Sequence, residues 1–203
     1  MPLSLCDRLP DVAAQDLVAG FAPPPHFSHV SFESYRPDPY YPGQAAAVAG
    51  ARAFVAAPAQ VKKRGWLRKA TPAEVRPGIY LDGGFGVGKT HLLASIWHAT
   101  EGRKAFGTFV EYTHLVGALG FAGAVEALSD RVLVCIDEFE LDDPGDTVLM
   151  SSLLMALTER GVRLAATSNT LPDALGEGRF AADDFLREIQ GLSAHFDVLR
   201  IDG

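Results

Sequence analysis

The chain has 203 residues, a formal net charge of −7 and 48% hydrophobic residues against 21% charged. That is room for one α/β domain of ordinary globular composition. It gives no global electrostatic case for nucleic-acid binding, and no run approaches the about 18 consecutive apolar residues that a membrane span needs. The first residues, Met1 to Arg8, lack a basic start followed by an apolar stretch, so a secretory signal is not expected and the cytoplasm is the default compartment. There are two cysteines. Cys135 lies in an apolar run and reads as a small core residue, and no Cys/His set has metal-ligand spacing.

Leu9 to Ala19 reads as a short helix, and Phe21-Ala22-Pro23-Pro24-Pro25 ends regular structure. From Phe32 to Pro42 the chain is extended and rich in aromatics and proline, and an alanine-rich helix follows from Gln44 to Ala57. This region could clamp the side of a nucleotide base, with Tyr40 and Gln44 as the contacts. The alternative is a linker that lays its aromatics on the domain surface. Val61 to Lys69 carries five basic residues and Trp66. It reads as a solvated loop tethered by the Trp in preference to a nucleic-acid or acidic-partner contact. These features divide the chain into an N-terminal piece (1–60), a basic linker (61–77) and a core (78–203).

The core opens on Gly78-Ile79-Tyr80-Leu81, a short apolar strand. The stretch Gly83-Gly84-Phe85-Gly86-Val87-Gly88-Lys89-Thr90 follows, and then a helix beginning around His91. The pattern G-x-x-x-x-G-K-[ST] between a strand and a helix is a phosphate cradle. Glycines let successive N–H groups point inward, the first turn of the helix adds its unpaired N–H groups, Lys89 reaches the β- and γ-phosphates, and the Thr90 hydroxyl holds Mg²⁺. His91, in that first turn, belongs to the same set.

Ala105 to Tyr112 reads as a strand and Thr113 to Leu128 as a helical region. Arg131 to Glu138 is a continuous apolar strand ending in two carboxylates. A strand buried on both faces suits a parallel sheet, and acidic residues at its carboxyl end lie where such sheets bind ligands. Asp137 is placed to hold Mg²⁺ through water, and Glu138 to polarise an attacking water. Asp143-Pro144 reads as an N-cap followed by proline at the first helical position, with the helix stopping at Gly161. This accounts for Asp142, Asp143 and Asp146 without a metal. Val162 to Thr167 is a further strand leading to Ser168-Asn169, and Asn169 lies where it could bond a γ-phosphate or the attacking water. A helix over Phe180–Leu192 and a strand over Phe196–Ile201 complete a five-stranded parallel, doubly wound α/β sheet.

On these residues the chain resembles AAA+ ATPases, and more narrowly the ZapE-like cell-division ATPases and their mitochondrial relatives (the AFG-like ATPase family). The resemblance runs from about Phe32 to Gly203. It rests on Tyr35-Arg36-Pro37-Asp38-Pro39 with Pro42 and Gln44, the phosphate loop, Cys135-Ile136-Asp137-Glu138-Phe139, Ala166-Thr167-Ser168-Asn169, Pro172-Asp173 and Phe185-Leu186. The alanine-rich sequence is similar to an actinobacterial branch. The resemblance implies a Mg²⁺-dependent ATPase remodelling a protein partner of the division machinery. It assigns Lys89 and Thr90 to Walker A, Asp137 and Glu138 to Walker B, and Asn169 to sensor 1. It also implies a homo-oligomer with an arginine finger, for which Arg179 is preferred to Arg187. Family members continue into a helical lid, whereas this chain ends at Gly203. The expectation is therefore of a core without its lid and of weakened nucleotide binding. Two other readings stand beside this one: a helicase-loader or transposition-helper type of ATPase acting with nucleic acid, and a nucleotide-gated scaffold with little turnover.

Overall fold

The computed structural model describes residues 14–57, 76–140, 144–170, 191 and 193–203. Five parallel strands form one sheet: β1 (Gly78–Gly83), β2 (Lys104–Thr108), β3 (Leu133–Asp137), β4 (Arg163–Ser168) and β5 (Phe196–Ile201). Their order is β2-β3-β4-β1-β5. The described helices are α1 (Ala14–Ala19), α2 (Pro42–Ala56), α3 (Lys89–Ala99), α4 (Phe109–Leu128) and α5 (Pro144–Glu159), with a 3-10 turn at Pro25–Phe27. The five-stranded parallel α/β sheet expected from the sequence is the fold observed.

Alternate residues of each strand serve different faces, which is why the strands read as unbroken apolar runs. Tyr80, Val134, Ile136, Leu164 and Ala166 pack with α4, α5 and Val18 of α1. Ile79, Leu81, Leu133, Cys135 and Ala165 pack on the opposite face with α3, α2 and Phe32. The extended segment and α2 therefore share an apolar cluster with the core strands. Burial pushes the Cys135 thiol well above its ordinary range, as expected for a cysteine acting as a core hydrophobe.

Three features of the helices depart from the sequence reading in ways the local contacts explain. Helix α2 begins at Pro42, not Gln44, because Pro at its first position fixes a helical φ and lacks only an N–H that would be unpaired there anyway. At its other end the Arg163 guanidinium lies over the Phe54 ring and donates to the Phe54 and Ala57 carbonyls. The second difference is larger. The strand expected over Ala105–Tyr112 stops at Thr108, and Phe109–Tyr112 are the first turn of α4. Thr108 and Glu111 form a capping box: Thr108 Oγ1 accepts from the Glu111 amide at 3.3 Å, and the Thr108 amide donates to Glu111 Oε2 at 2.6 Å. Of the run that suggested a strand, the aromatics Phe109 and Tyr112 are buried on the inner face of a helix and Val110 faces outward; the Tyr112 hydroxyl donates to the Cys135 carbonyl at 3.0 Å. Third, α4 is bent at Gly120 (φ 69°, ψ 162°).

The start of α5 at Pro144 is as expected. It ends with Gly161 at φ 86°, whose amide donates to the Thr158 carbonyl while the Val162 amide reaches back to Leu157. All of the helix expected at Phe180–Leu192 but Gly191, the basic stretch Val61–Lys69 and residues 9–13 of the expected Leu9–Ala19 helix lie outside the described residues, while Ala14–Ala19 of the last is α1. No helix among the described residues is long and apolar enough to cross a membrane.

Because Thr108 and Glu111 act as a unit, Thr108→Ala should lower stability by about 1 kcal/mol, seen as a lower denaturation midpoint at unchanged m. Glu111→Ala should cost a similar amount, and the double variant less than the sum of the two. Additive losses would show that the box does not act reciprocally.

Candidate functional site

The strand order decides the site. Strand β4 lies between β1 and β3, with Leu81 opposite Thr167, Asp82 opposite Ser168 and Ile136 opposite Ala166. The carboxyl ends of three strands that are distant in sequence therefore meet at one edge of the sheet. β1 delivers the glycine loop, β3 the carboxylates, and β4 the polar residues Thr167, Ser168 and Asn169.

The loop rises from β1 and passes into α3 through Gly88 at φ 88°, a conformation that a residue with a Cβ adopts only under strain. No side-chain hydrogen bond caps α3, so the N–H groups of its first turn are open to an anion. Together with Asp137, Glu138, Thr167, Ser168 and Asn169, the loop and the start of α3 line a cleft of about 310 Å³. Phe27, which the sequence did not single out, lines it too.

Lys89 turns back over its own loop. Its Nζ donates to the carbonyls of Gly83 (2.7 Å) and Gly84 (2.6 Å) and to Asn169 Oδ1 (2.8 Å). Partial burial pulls the ammonium below its ordinary range, while the carboxylates of Asp82, Asp137, Glu140 and Glu138 pull the other way. The result is a cation ringed by acids but bonded to neutral oxygens that a phosphate can replace.

Asp137 is only 7% exposed. Its Oδ1 accepts from Thr90 Oγ1 at 3.2 Å and from Thr167 Oγ1 at 2.5 Å. The pairing of Thr90 with Asp137 places a hydroxyl and a carboxylate side by side. Both are hard oxygen donors, and so few protein ligands suit Mg²⁺, which keeps several waters of its own. The donor set fits that ion. Thr167 also receives the Glu138 amide at 3.0 Å, and its carbonyl accepts from Phe139 N at 2.7 Å. Glu138 is the one non-glycine residue at positive φ (54°) among the described residues, a conformation that costs about 1–3 kcal/mol. The fully buried Phe139, packed edge-on against Phe109 and Tyr80, pins the chain just beyond it and leaves the Glu138 side chain exposed at the cleft. Glu140 accepts from Ser168 Oγ (3.3 Å) and the Asn169 amide (3.4 Å), tying the acidic turn to the end of β4.

Phe85, Gly86, Gly88, Lys89, Thr90, Asp137, Glu138 and Asn169 thus gather around one cleft, while Gly83, Gly84 and Val87 of the loop do not line it. His91 is at its edge, but its ring turns to Ser34 and the Ser31 carbonyl. Tyr40 and Gln44 are not among the lining residues. Tyr40 is 88% exposed, and Gln44 is buried with both ends of its amide engaged. Gln44 Oε1 accepts from Asp38 N at 2.8 Å, and its Nε2 donates to the Asp202 carbonyl at 2.9 Å, bridging the extended segment to the end of β5. Arg179 and Arg187 lie outside the described residues. Thr167 is the functional residue that sequence reasoning passed over. Its signal was its position in Ala-Thr-Ser-Asn, one residue inside the end of a buried strand.

Residues 12–203 match the family described as AFG1-like ATPase. The chain belongs to that family. Among curated relatives it is similar to the cell division protein ZapE of Escherichia coli K12, 33% identical over 145 residues that cover 66% of this chain and 38% of ZapE. The chain thus spans well under half the length of that relative. Its fold is that of domain III of the replication initiation protein DnaA from Thermotoga maritima (TM-score 0.62, 18% identity, covering 88% of this chain and 68% of that one). AMPPCP-bound DnaA from Aquifex aeolicus has the same fold (TM-score 0.59, 16% identity, 86% and 50% covered).

Replacing Thr167 by valine keeps its shape but leaves the buried Asp137 oxygen one donor short and the Glu138 amide without its acceptor. The expected loss is about 1–3 kcal/mol of stability, measured by denaturant titration, together with weakened Mg²⁺-nucleotide binding. Thr167→Ser should retain most of both. Wild-type behaviour of the valine variant would remove Thr167 from the site.

Proposed function

We propose that this chain is the catalytic core of a cytoplasmic, Mg²⁺-dependent ATPase that couples ATP binding and hydrolysis to remodelling of a protein partner. The similarity to ZapE makes the division machinery the class of partner to test first. The observation that carries the reading is the convergence of Lys89, Thr90, Asp137, Glu138 and Asn169 on one cleft beside an uncapped helix N-terminus.

The phosphates of ATP lie against the loop amides and the first turn of α3. As they enter, Lys89 exchanges the carbonyls of Gly83 and Gly84 for phosphate oxygens, and Asn169 loses the ammonium it now holds. Asn169 is then free to bond the γ-phosphate or the attacking water. Thr90 and Asp137 would hold Mg²⁺, which when bound neutralises charge on the β- and γ-oxygens. The exposed Glu138 carboxylate accepts a hydrogen bond from the water and orients it for in-line attack at the γ-phosphorus. The P–O bond to the β-phosphate breaks as the new P–O bond forms, ADP leaves, and the water's proton passes to solvent. Lys89 and the loop amides carry the charge that spreads over the equatorial oxygens. An arginine from a neighbouring subunit, Arg179 in preference to Arg187, completes the charge stabilisation in a homo-oligomer.

The test is ATP hydrolysis against protein concentration in wild type and Glu138→Gln, with nucleotide binding measured in parallel. Glu138→Gln should retain binding and lower turnover by about 10²–10⁴-fold. Chelation of Mg²⁺ should abolish turnover in both. A wild-type rate that rises per subunit with concentration supports the trans-acting arginine. Hydrolysis by Glu138→Gln at the wild-type rate would remove Glu138 from the mechanism.

A further inference from the structure

The phosphate loop has an outer side that faces the extended segment, and the contacts there are specific. The Tyr35 hydroxyl donates to the Val87 carbonyl at 2.6 Å. The Tyr35 ring lies against the next residue so closely that a Cβ on Gly88 would fall 2.5 Å from Tyr35 Cε2. The same ring meets His91 edge-on, with centroids 5.5 Å apart and planes at 78°. His91 Nε2 is 2.9 Å from Ser34 Oγ and 3.1 Å from the Ser31 carbonyl oxygen. Behind this, the segment is fixed to α2. Phe32 is buried beneath the Arg52 guanidinium, and Glu33 is paired with Arg52 at 2.7 Å. Residues 31–35 are therefore fastened to α2 on one side and to the loop and α3 on the other.

We propose that Tyr35 is a positioning residue for phosphate binding: by holding the Val87 carbonyl outward, it aims the Gly88 amide into the cleft. The geometry follows from the planarity of the peptide. In a trans peptide the C=O and the following N–H point in opposite directions. Anchoring the Val87 oxygen on the outer side of the loop thus fixes the Gly88 N–H on the inner side, where Gly88 lines the cleft. Gly88 has no side chain to resist rotation of that peptide plane, so an external anchor is needed to keep it oriented. The Tyr35 hydroxyl, whose pKa burial raises further, is protonated and able to donate at physiological pH as any tyrosine is. The ring packs on the one loop residue whose lack of a Cβ admits it. Tyr35 does not line the cleft and acts only through the loop.

This inference rests on the nucleotide-binding reading, and the test separates the two. ATP and inorganic pyrophosphate, each with Mg²⁺, are titrated calorimetrically into wild type and Tyr35→Phe, and melting temperatures are taken without ligand. Tyr35→Phe keeps the ring and deletes one hydrogen bond. It should weaken both ligands by the same factor, about three- to tenfold, with the unliganded melting temperature lowered by no more than the few degrees that one hydrogen bond accounts for. It should raise KM for ATP and leave kcat nearly unaltered. Equal affinities in the two proteins would overturn the proposal. A loss for ATP but not for pyrophosphate would overturn it by making Tyr35 a base or ribose contact, and a loss that accompanies a fall in melting temperature of about 10 °C or more, beyond what one hydrogen bond accounts for, would overturn it by making Tyr35 a general structural residue. Failure of the wild type itself to bind either ligand would bring down the nucleotide-binding reading, and this inference with it.

Discussion

The Asp137 carboxylate joins the parts of the site. One oxygen accepts from Thr90 at the start of α3 and from Thr167 at the end of β4, so α3, β3 and β4 are tied through a single oxygen of a nearly buried residue. A charge there is costly unless its hydrogen bonds are made. Here both partners are hydroxyls, one delivered by α3 and one by β4, and the Lys89 ammonium is close enough to feel the charge. Displacing any of these elements would leave the carboxylate short of donors. The arrangement therefore holds together as a unit.

The energetic character of the cleft follows from the same atoms. It is acidic, with Asp82, Asp137, Glu138 and Glu140 all felt by Lys89, yet its purpose in the proposed mechanism is to receive an anion. The loop amides, the open N-terminus of α3 and Lys89 supply the positive side. Three of these carboxylates, Asp137, Glu138 and Glu140, stand at the β3 end, and Asp82 lies near the end of β1. Strain stands at the β3 end: Glu138, the one non-glycine residue at positive φ among the described residues, is held between the buried Asp137 and the buried Phe139. That presents the carboxylate to the cleft on a backbone that has little freedom to withdraw it.

Around this joint the N-terminal segment does more than connect. Gln44 bridges Asp38 to Asp202 at the end of β5. Tyr35 and His91 fasten residues 31–35 to the loop and to α3, and Arg163 closes the end of α2. The extended segment thereby becomes part of the support of the phosphate loop. Its aromatics divide into anchored ones, Phe32 and Tyr35, and exposed ones, Tyr40 and Tyr41.

The sequence by itself determined the elements whose signals are local. The glycine loop between strand and helix, the apolar strand closing on Asp137-Glu138, Pro144 opening α5 and the strand leading to Asn169 were all readable, because backbone freedom, capping and burial on both faces write themselves into consecutive residues. Where two local signals conflicted, reading failed. Phe109 to Tyr112 looks like strand by composition, yet the Thr108–Glu111 box makes it helix, since two satisfied amides at a helix start and burial of Tyr112 outweigh a weak preference for strand. Only the tertiary structure decided what depends on strand order and on contacts across long separations. Insertion of β4 between β1 and β3 brings Thr167 to Asp137, and folding of the N-terminal segment onto α3 sets Tyr35 on Val87. The same folding spends Gln44 on a bridge and leaves Tyr40 at the surface. No periodicity encodes such pairings, because each partner is chosen by the packing of whole elements and not by its neighbours in the chain.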